Sequence, residues 1–254
     1  MAKDTEISWT DHTVNPWIGC FKISAECRNC YAEVMESRYQ RAEWGRTSPR
    51  YFTKNAEKQA RSFNRAAQRD GVRRKVFCAS MSDFFEDNES LIEIRKHWWT
   101  IIKELNQLDW LVLTKRADKI QQFLPEDFTK GEYNHVNLGV SVGVQSSTPR
   151  LDQLRKIPDW GGLRWVSMEP LLESLKGVNL TNIDWAIVGG ETTVGNTFTP
   201  MLDQWVIEVQ EACQKHGTTF FFKQTAGRNG TTLKTFQGTQ YYNFPHFRQP
   251  LPMV

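Results

Sequence analysis

The sequence has no long apolar run. None of its segments approaches the roughly 18 residues that cross a bilayer. Its start, Met1 to Trp9, carries Lys3, Asp4 and Glu6 where a signal peptide would have an apolar core. Membrane insertion and secretion are therefore not expected. Cysteine is scarce. Five in 254 residues is an odd number and too few for a disulfide scaffold of this size, so a reducing cytoplasm is the expected setting. The five histidines, His12, His97, His135, His216 and His246, are scattered and form no nucleophile–base pattern, which argues against a hydrolase. Internal repeats, low-complexity tracts and a clear interdomain linker are all missing. Acidic residues are missing too from Ala212 to Val254, where five Lys and Arg remain.

What is present reads as one globular domain over residues 1–254, 39% hydrophobic and 24% charged. The net charge of +3 hides an uneven distribution. From Arg38 to Lys75 there are twelve Lys and Arg against Glu43, Glu57 and Asp70. Within this region Lys54, Lys58, Arg61, Arg65 and Arg69 recur at helical spacing. They predict a basic helical insertion at about 46–72 with a phosphate-binding face. A second basic segment, the irregular tail at about 228–254, interleaves Arg228, Lys234 and Arg248 with aromatics. Of these, Tyr241, Tyr242 and Phe247 are candidates to stack on a base.

Short β-rich runs recur at Lys75–Ala79, Trp110–Thr114, Val136–Val142, Leu163–Ser167, Trp185–Val188 and Thr218–Phe222. They are apolar almost throughout, as strands covered on both faces are. Helical patterns occupy Leu91–Leu105 and Asp203–Lys215, the latter ending at Gly217, and a further helix is expected over Tyr31–Glu43. Such alternation predicts an α/β fold of about six parallel strands, a partial (β/α) barrel, with a doubly wound sheet as the alternative. Polar residues follow the runs at equivalent places: Asp83, Lys115 and Arg116, Ser141, Glu169, Glu191, then Lys223 and Gln224. In a barrel these ends converge on one mouth. Asp83, Lys115, Arg116, Glu169 and Lys223 are the catalytic candidates. Ser141, Glu169, Glu191 and Gln224 are the candidates for binding a cofactor.

Cys20, Cys27 and Cys30 form a C-x6-C-x2-C cluster, whereas Cys78 and Cys213 lie in a strand and a helix pattern and read as packed thiols. Three clustered thiols suit two chemistries. Zinc would take them with a fourth ligand such as His12, giving a zinc-stabilised DNA-binding protein without catalysis. A [4Fe–4S] cluster held by three thiolates would keep one iron open, the vacancy that S-adenosylmethionine (SAM) fills in radical-SAM enzymes. Spacing leaves both open, since it departs from the usual C-x3-C-x2-C. The barrel scaffold favours iron–sulfur.

The segments Ile7-Ser8-Trp9-Thr10, Asn15-Pro16, Gly19-Cys20 and Cys27-Arg28-Asn29-Cys30-Tyr31-Ala32-Glu33 resemble the opening of the phage-associated three-cysteine-motif proteins, a radical-SAM-like family. The resemblance continues through Ser82-Asp83-Phe84-Phe85, Leu113-Thr114-Lys115-Arg116, Leu138-Gly139-Val140-Ser141 and Ser167-Met168-Glu169-Pro170-Leu171-Leu172. It extends to Asp184-Trp185-Ala186-Ile187-Val188-Gly189-Gly190-Glu191, Phe221-Phe222-Lys223-Gln224 and Tyr242-Asn243-Phe244-Pro245. It implies a partial barrel of the radical-SAM type, a [4Fe–4S] cluster on Cys20, Cys27 and Cys30, SAM as co-substrate and an external one-electron donor. A phage setting implies DNA as partner, in the host cytoplasm. The implied reaction is an isomerisation in thymidine hypermodification, converting an N-linked glycinyl thymidine to its Cα-linked form. A repair lyase acting on a thymine lesion is the enzymatic alternative. Gly189-Gly190-Glu191 resembles a SAM-binding tripeptide, but it follows a late strand where that tripeptide follows an early one.

Overall fold

Seven strands lie side by side, all parallel, in the order in which the chain makes them. They are β1 (His12–Val14), β2 (Arg74–Cys78), β3 (Leu108–Thr114), β4 (Val136–Ser141), β5 (Arg164–Met168), β6 (Trp185–Gly189) and β7 (Thr219–Gln224). The computed structural model describes residues 5–193 and 197–247. Arg248 and the rest of the expected tail fall outside the described residues. The sheet curls into a half-barrel, the partial barrel expected, with one strand more than the six apolar runs indicate.

Alternation along each strand divides the core in two. Val76, Trp110, Val112, Leu138, Val140, Val166, Val188 and Phe222 point outward into a layer shared with the helices. Phe77, Leu111, Trp165, Trp185, Ile187 and Phe221 point into the concave face, where they pack with Trp9. Each full burial of such a side chain contributes about 1.5–3 kcal/mol, so both faces hold the sheet together.

The crossover helices present one apolar stripe each. Helix α1 (Tyr31–Glu36) is short, and α2 (Ala56–Asp70) buries Ala56, Ala60, Phe63 and Ala67. Helix α3 (Ile92–Glu104) buries Trp98, Trp99, Ile101 and Ile102. Helices α4 (Ile120–Phe123) and α5 (Pro149–Arg155) follow, and α6 (Asp203–His216) stops at Gly217, whose φ of 70° is the left-handed cap expected there. Helix α2, which falls within the expected basic segment 46–72, lies between β1 and β2, and these two pair in parallel.

One expectation about the helices is corrected. Helix α1 ends at Glu36, short of Glu43. The Glu36 carboxylate accepts from the Arg41 and Ala42 amides and from the Arg41 guanidinium, folding the chain back at once. The tail, for its part, is packed. Tyr241 O accepts from Phe222 N, Tyr242 stacks on Phe221 with ring centroids 4.7 Å apart, and Phe244 and Phe247 sit against Trp185. Lys75 of β2 lies 4.9 Å from the Phe244 ring, so the tail spans the concave face near the N-terminal strand ends. It forms a floor in which the rings of Tyr242 and Phe247 are engaged, while the Tyr241 ring packs edge-on against Phe220 on the helix side.

Candidate functional site

The concave face changes character along the strands. Aromatic rings fill its N-terminal end. Toward the C-terminal mouth the inward positions become Lys115, Ser141, Ser167, Glu169 and Lys223. Pairing sets Ser141 beside Ser167. Lys115 Nζ lies 3.4 Å from Ser141 Oγ, Ser167 Oγ donates to Glu169 Oε2 at 3.3 Å, and Lys223 Nζ is 2.8 Å from Glu169 Oε1. The structure thus brings four of the expected residues, Lys115, Ser141, Glu169 and Lys223, into one row of two cations, one carboxylate and hydroxyls. Gly189 makes room for it, since a Cβ there would meet Glu169 Oε1 at 2.8 Å.

Asp83 and Arg116 are set deeper. Asp83 accepts from Thr114 Oγ1 at 2.6 Å, Lys115 N at 3.0 Å, Phe85 N at 3.0 Å and Arg116 Nη1 at 2.9 Å. Arg116 Nη2 donates to Phe21 O at 3.0 Å, and Arg116 Nη1 stands 3.5 Å from Cys20 Sγ. The Phe21 ring lies between the guanidinium groups of Arg116 and Arg46, at 4.4 and 4.6 Å. The pair is a clamp that ties the cysteine loop to the end of β3. Burial pushes the Cys20 thiol up to about 12, while the Arg116 charge and hydrogen bond pull the other way. Arg116 is therefore placed to stabilise a thiolate at Cys20.

Glu191 and Gln224 take their hydrogen bonds elsewhere. Glu191 is buried and accepts from Thr199 N at 2.8 Å. Gln224 pairs with Gly189 across a bulge, and its carbonyl accepts from Gly190 N. Gly190 packs so tightly on Ala226 that a Cβ would meet its backbone nitrogen at 2.1 Å. Close packing is thus a sufficient reason for the Gly189-Gly190 pair.

Sequence reasoning missed Glu26. This buried carboxylate lies between Cys20 and Cys27 and accepts from Ser147 Oγ at 2.5 Å, Arg150 Nη1 at 3.0 Å and Gly143 N at 3.1 Å. It fastens the cysteine loop to the segment after β4, as Arg116 fastens it after β3. Burial opposes its charge, but Ser147, Ser24 and Arg150 outweigh that and lower its pKa to about 2. Tyr31 was missed as well. It follows Cys30, and its hydroxyl donates to Ser80 O at 2.5 Å, holding the start of α1 against the loop after β2.

A family described as "Protein of unknown function (DUF5131)" matches residues 4–243. The chain belongs to this family. Comparisons with curated proteins and with solved structures find no match.

In this DUF5131 chain all five cysteines are free thiols. Cys78 and Cys213 are buried, and burial alone raises their pKa. Cys20, Cys27 and Cys30 are partly exposed on the loop at the mouth. Among the described residues no three His, Cys, Asp or Glu side chains are gathered to hold one metal ion. His12, the candidate fourth zinc ligand, stacks flat on Phe63 of α2 at 3.9 Å, on the helix-covered side of the sheet. The cysteine loop therefore carries three thiols, one of which, Cys20, faces the Arg116 cation. A separate cavity of about 270 Å³ lies at the opposite, N-terminal end, lined in part by Asp109, Asn137 and His246. No helix among the described residues is long and apolar enough to cross a membrane.

Proposed function

We propose that this protein is a radical-SAM enzyme acting on modified thymidine in DNA, isomerising an N-linked glycinyl thymidine to the Cα-linked form. One observation carries the reading: three free, partly exposed thiols on a loop doubly clamped to the C-terminal mouth of a parallel half-barrel, beside a row of polar side chains. A [4Fe–4S] cluster on Cys20, Cys27 and Cys30, with SAM on its open iron, would supply one-electron reductive cleavage and hydrogen abstraction. The chain's own contribution is position. Arg116 and Glu26 hold the loop at the mouth. Lys115 and Lys223 offer cations to carboxylate groups, of which SAM and a glycinyl adduct each have one. Ser141 and Ser167 offer hydroxyls, and Glu169 offers an acceptor for an amino group. The aromatic floor closes the far end of the concave face to water, which a radical intermediate requires. The choice of thymidine and of isomerisation rests on the family resemblance.

The test is metal and turnover together. Protein purified without oxygen is expected to be brown, to contain iron and to form 5′-deoxyadenosine from SAM under reduction. Cys20→Ala, Cys27→Ala and Cys30→Ala should each lose most iron and all SAM cleavage, whereas Cys78→Ser and Cys213→Ser keep their iron. Zinc in place of iron after anaerobic reconstitution overturns the reading.

A further inference from the structure

Four large aromatic side chains are exposed among the described residues: Tyr31, Tyr39, Phe52 and Phe244. Three of them lie between the cysteine loop and α2. The Arg41 guanidinium lies 4.7 Å from the Tyr39 ring and 5.8 Å from the Tyr51 ring, and Tyr51 packs against the small cluster of Ile18, Ala32 and Met81 that Cys30 also joins. Phe52, the next residue, is 45% exposed and leads directly into α2. There Lys54, Lys58 and Arg65 are exposed and form no ion pair among the described residues. A groove of about 360 Å³ runs between them. The acids nearby are already engaged: Glu57 holds Arg61 and His97, Glu104 holds Arg61, and Asp70 holds Arg69 and Arg74. The free charge left on this face is positive.

We propose that this face is a track for single-stranded DNA. Lys54, Lys58 and Arg65 take successive phosphates, and the exposed rings of Phe52 and Tyr39 stack on unpaired bases as the strand approaches the mouth. The inference rests on the proposed function for its choice of DNA. Its form comes from the surface itself, since cations in a groove next to exposed aromatic rings are the combination that single strands require. A base processed inside the half-barrel must leave its duplex, and a surface that holds unpaired bases beside the mouth stabilises that state. Base stacking thereby moves from Tyr242 and Phe247, which the floor engages, and from Tyr241, which packs on Phe220, to Tyr39 and Phe52.

Fluorescence anisotropy of a labelled 20-mer of thymidylate on the anaerobically purified full chain tests this, with a duplex and heparin as comparison ligands. The triple variant Lys54→Gln, Lys58→Gln, Arg65→Gln should bind more weakly and flatten the plot of log K against log salt by about 2, at roughly 0.7 per phosphate contact. Tyr39→Ala and Phe52→Ala should each weaken binding about tenfold with the slope kept, leave heparin binding unchanged, and be rescued by Tyr39→Phe and Phe52→Tyr. An unchanged slope, silent ring variants, or a preference for duplex over single strand overturns the track. Iron content measured on the same samples separates the two proposals: iron-free protein fails the first, and iron-loaded protein without these binding effects fails only the second.

Discussion

Glu26 is a carboxylate whose three partners lie 117, 121 and 124 residues further along the chain. No local pattern could reveal that, because an acid in a polar loop reads as a solvated side chain until the fold brings Gly143, Ser147 and Arg150 to it. Lys115, Ser141, Glu169 and Lys223 were legible for the opposite reason: parallel strands carry the polar residues after each apolar run to one end of the sheet. Replacing Glu26 by Ala leaves the Arg150 cation and the Gly143 amide without this acceptor. It should cost about 3–5 kcal/mol in urea unfolding and speed thiol labelling of Cys27. Glu36 works on its own turn. Burial opposes its charge, but hydrogen bonds and charge from Arg41 outweigh that and lower its pKa. A carboxylate held below its unfolded value contributes stability above about pH 4.3, and loses it as pH falls through the folded value. Glu36→Gln should therefore lower the melting temperature at neutral pH, and the gap to the native protein should close on acidification below about pH 4. An equal gap at every pH would mean that the turn depends on shape and not on charge.

At the scale of elements, the strands buried on both faces were readable as apolar runs, and six of the seven were found that way. The seventh, β1, is three residues long, and only Val14 in it is fully buried, so it leaves no run to notice. The end of α1 escaped because a side chain sets it, while the end of α6 was legible because a glycine does. Gly217→Ala places a Cβ at φ 70° and should cost about 1 kcal/mol by urea unfolding, with helical content by circular dichroism nearly unchanged. A neutral effect would show that α6 ends by packing against its neighbours and not by its cap.

For the whole molecule, the tail matters more to the core than its composition suggests. Its aromatics read as candidates to stack on a base, yet Tyr242, Phe244 and Phe247 complete the concave face with Phe221 and Trp185. A chain ending before Tyr241 should bind a hydrophobic dye, lose near-ultraviolet dichroism and melt earlier. A truncated chain that keeps full near-ultraviolet signal would show that the floor is dispensable. The order of strands in the sheet gives this a consequence in time. Each strand pairs with the one made just before it, so the sheet can grow edge by edge as the chain leaves the ribosome. The convex side acquires its helices on the way. The hollow side, where Trp9 already packs with Trp165 and Trp185, leaves Trp185 and Phe221 without their remaining partners until residues 241–247 emerge. The interval between the synthesis of β7 and that of the floor is when the nascent chain exposes its stickiest surface, and slowing translation there should raise its dependence on chaperones.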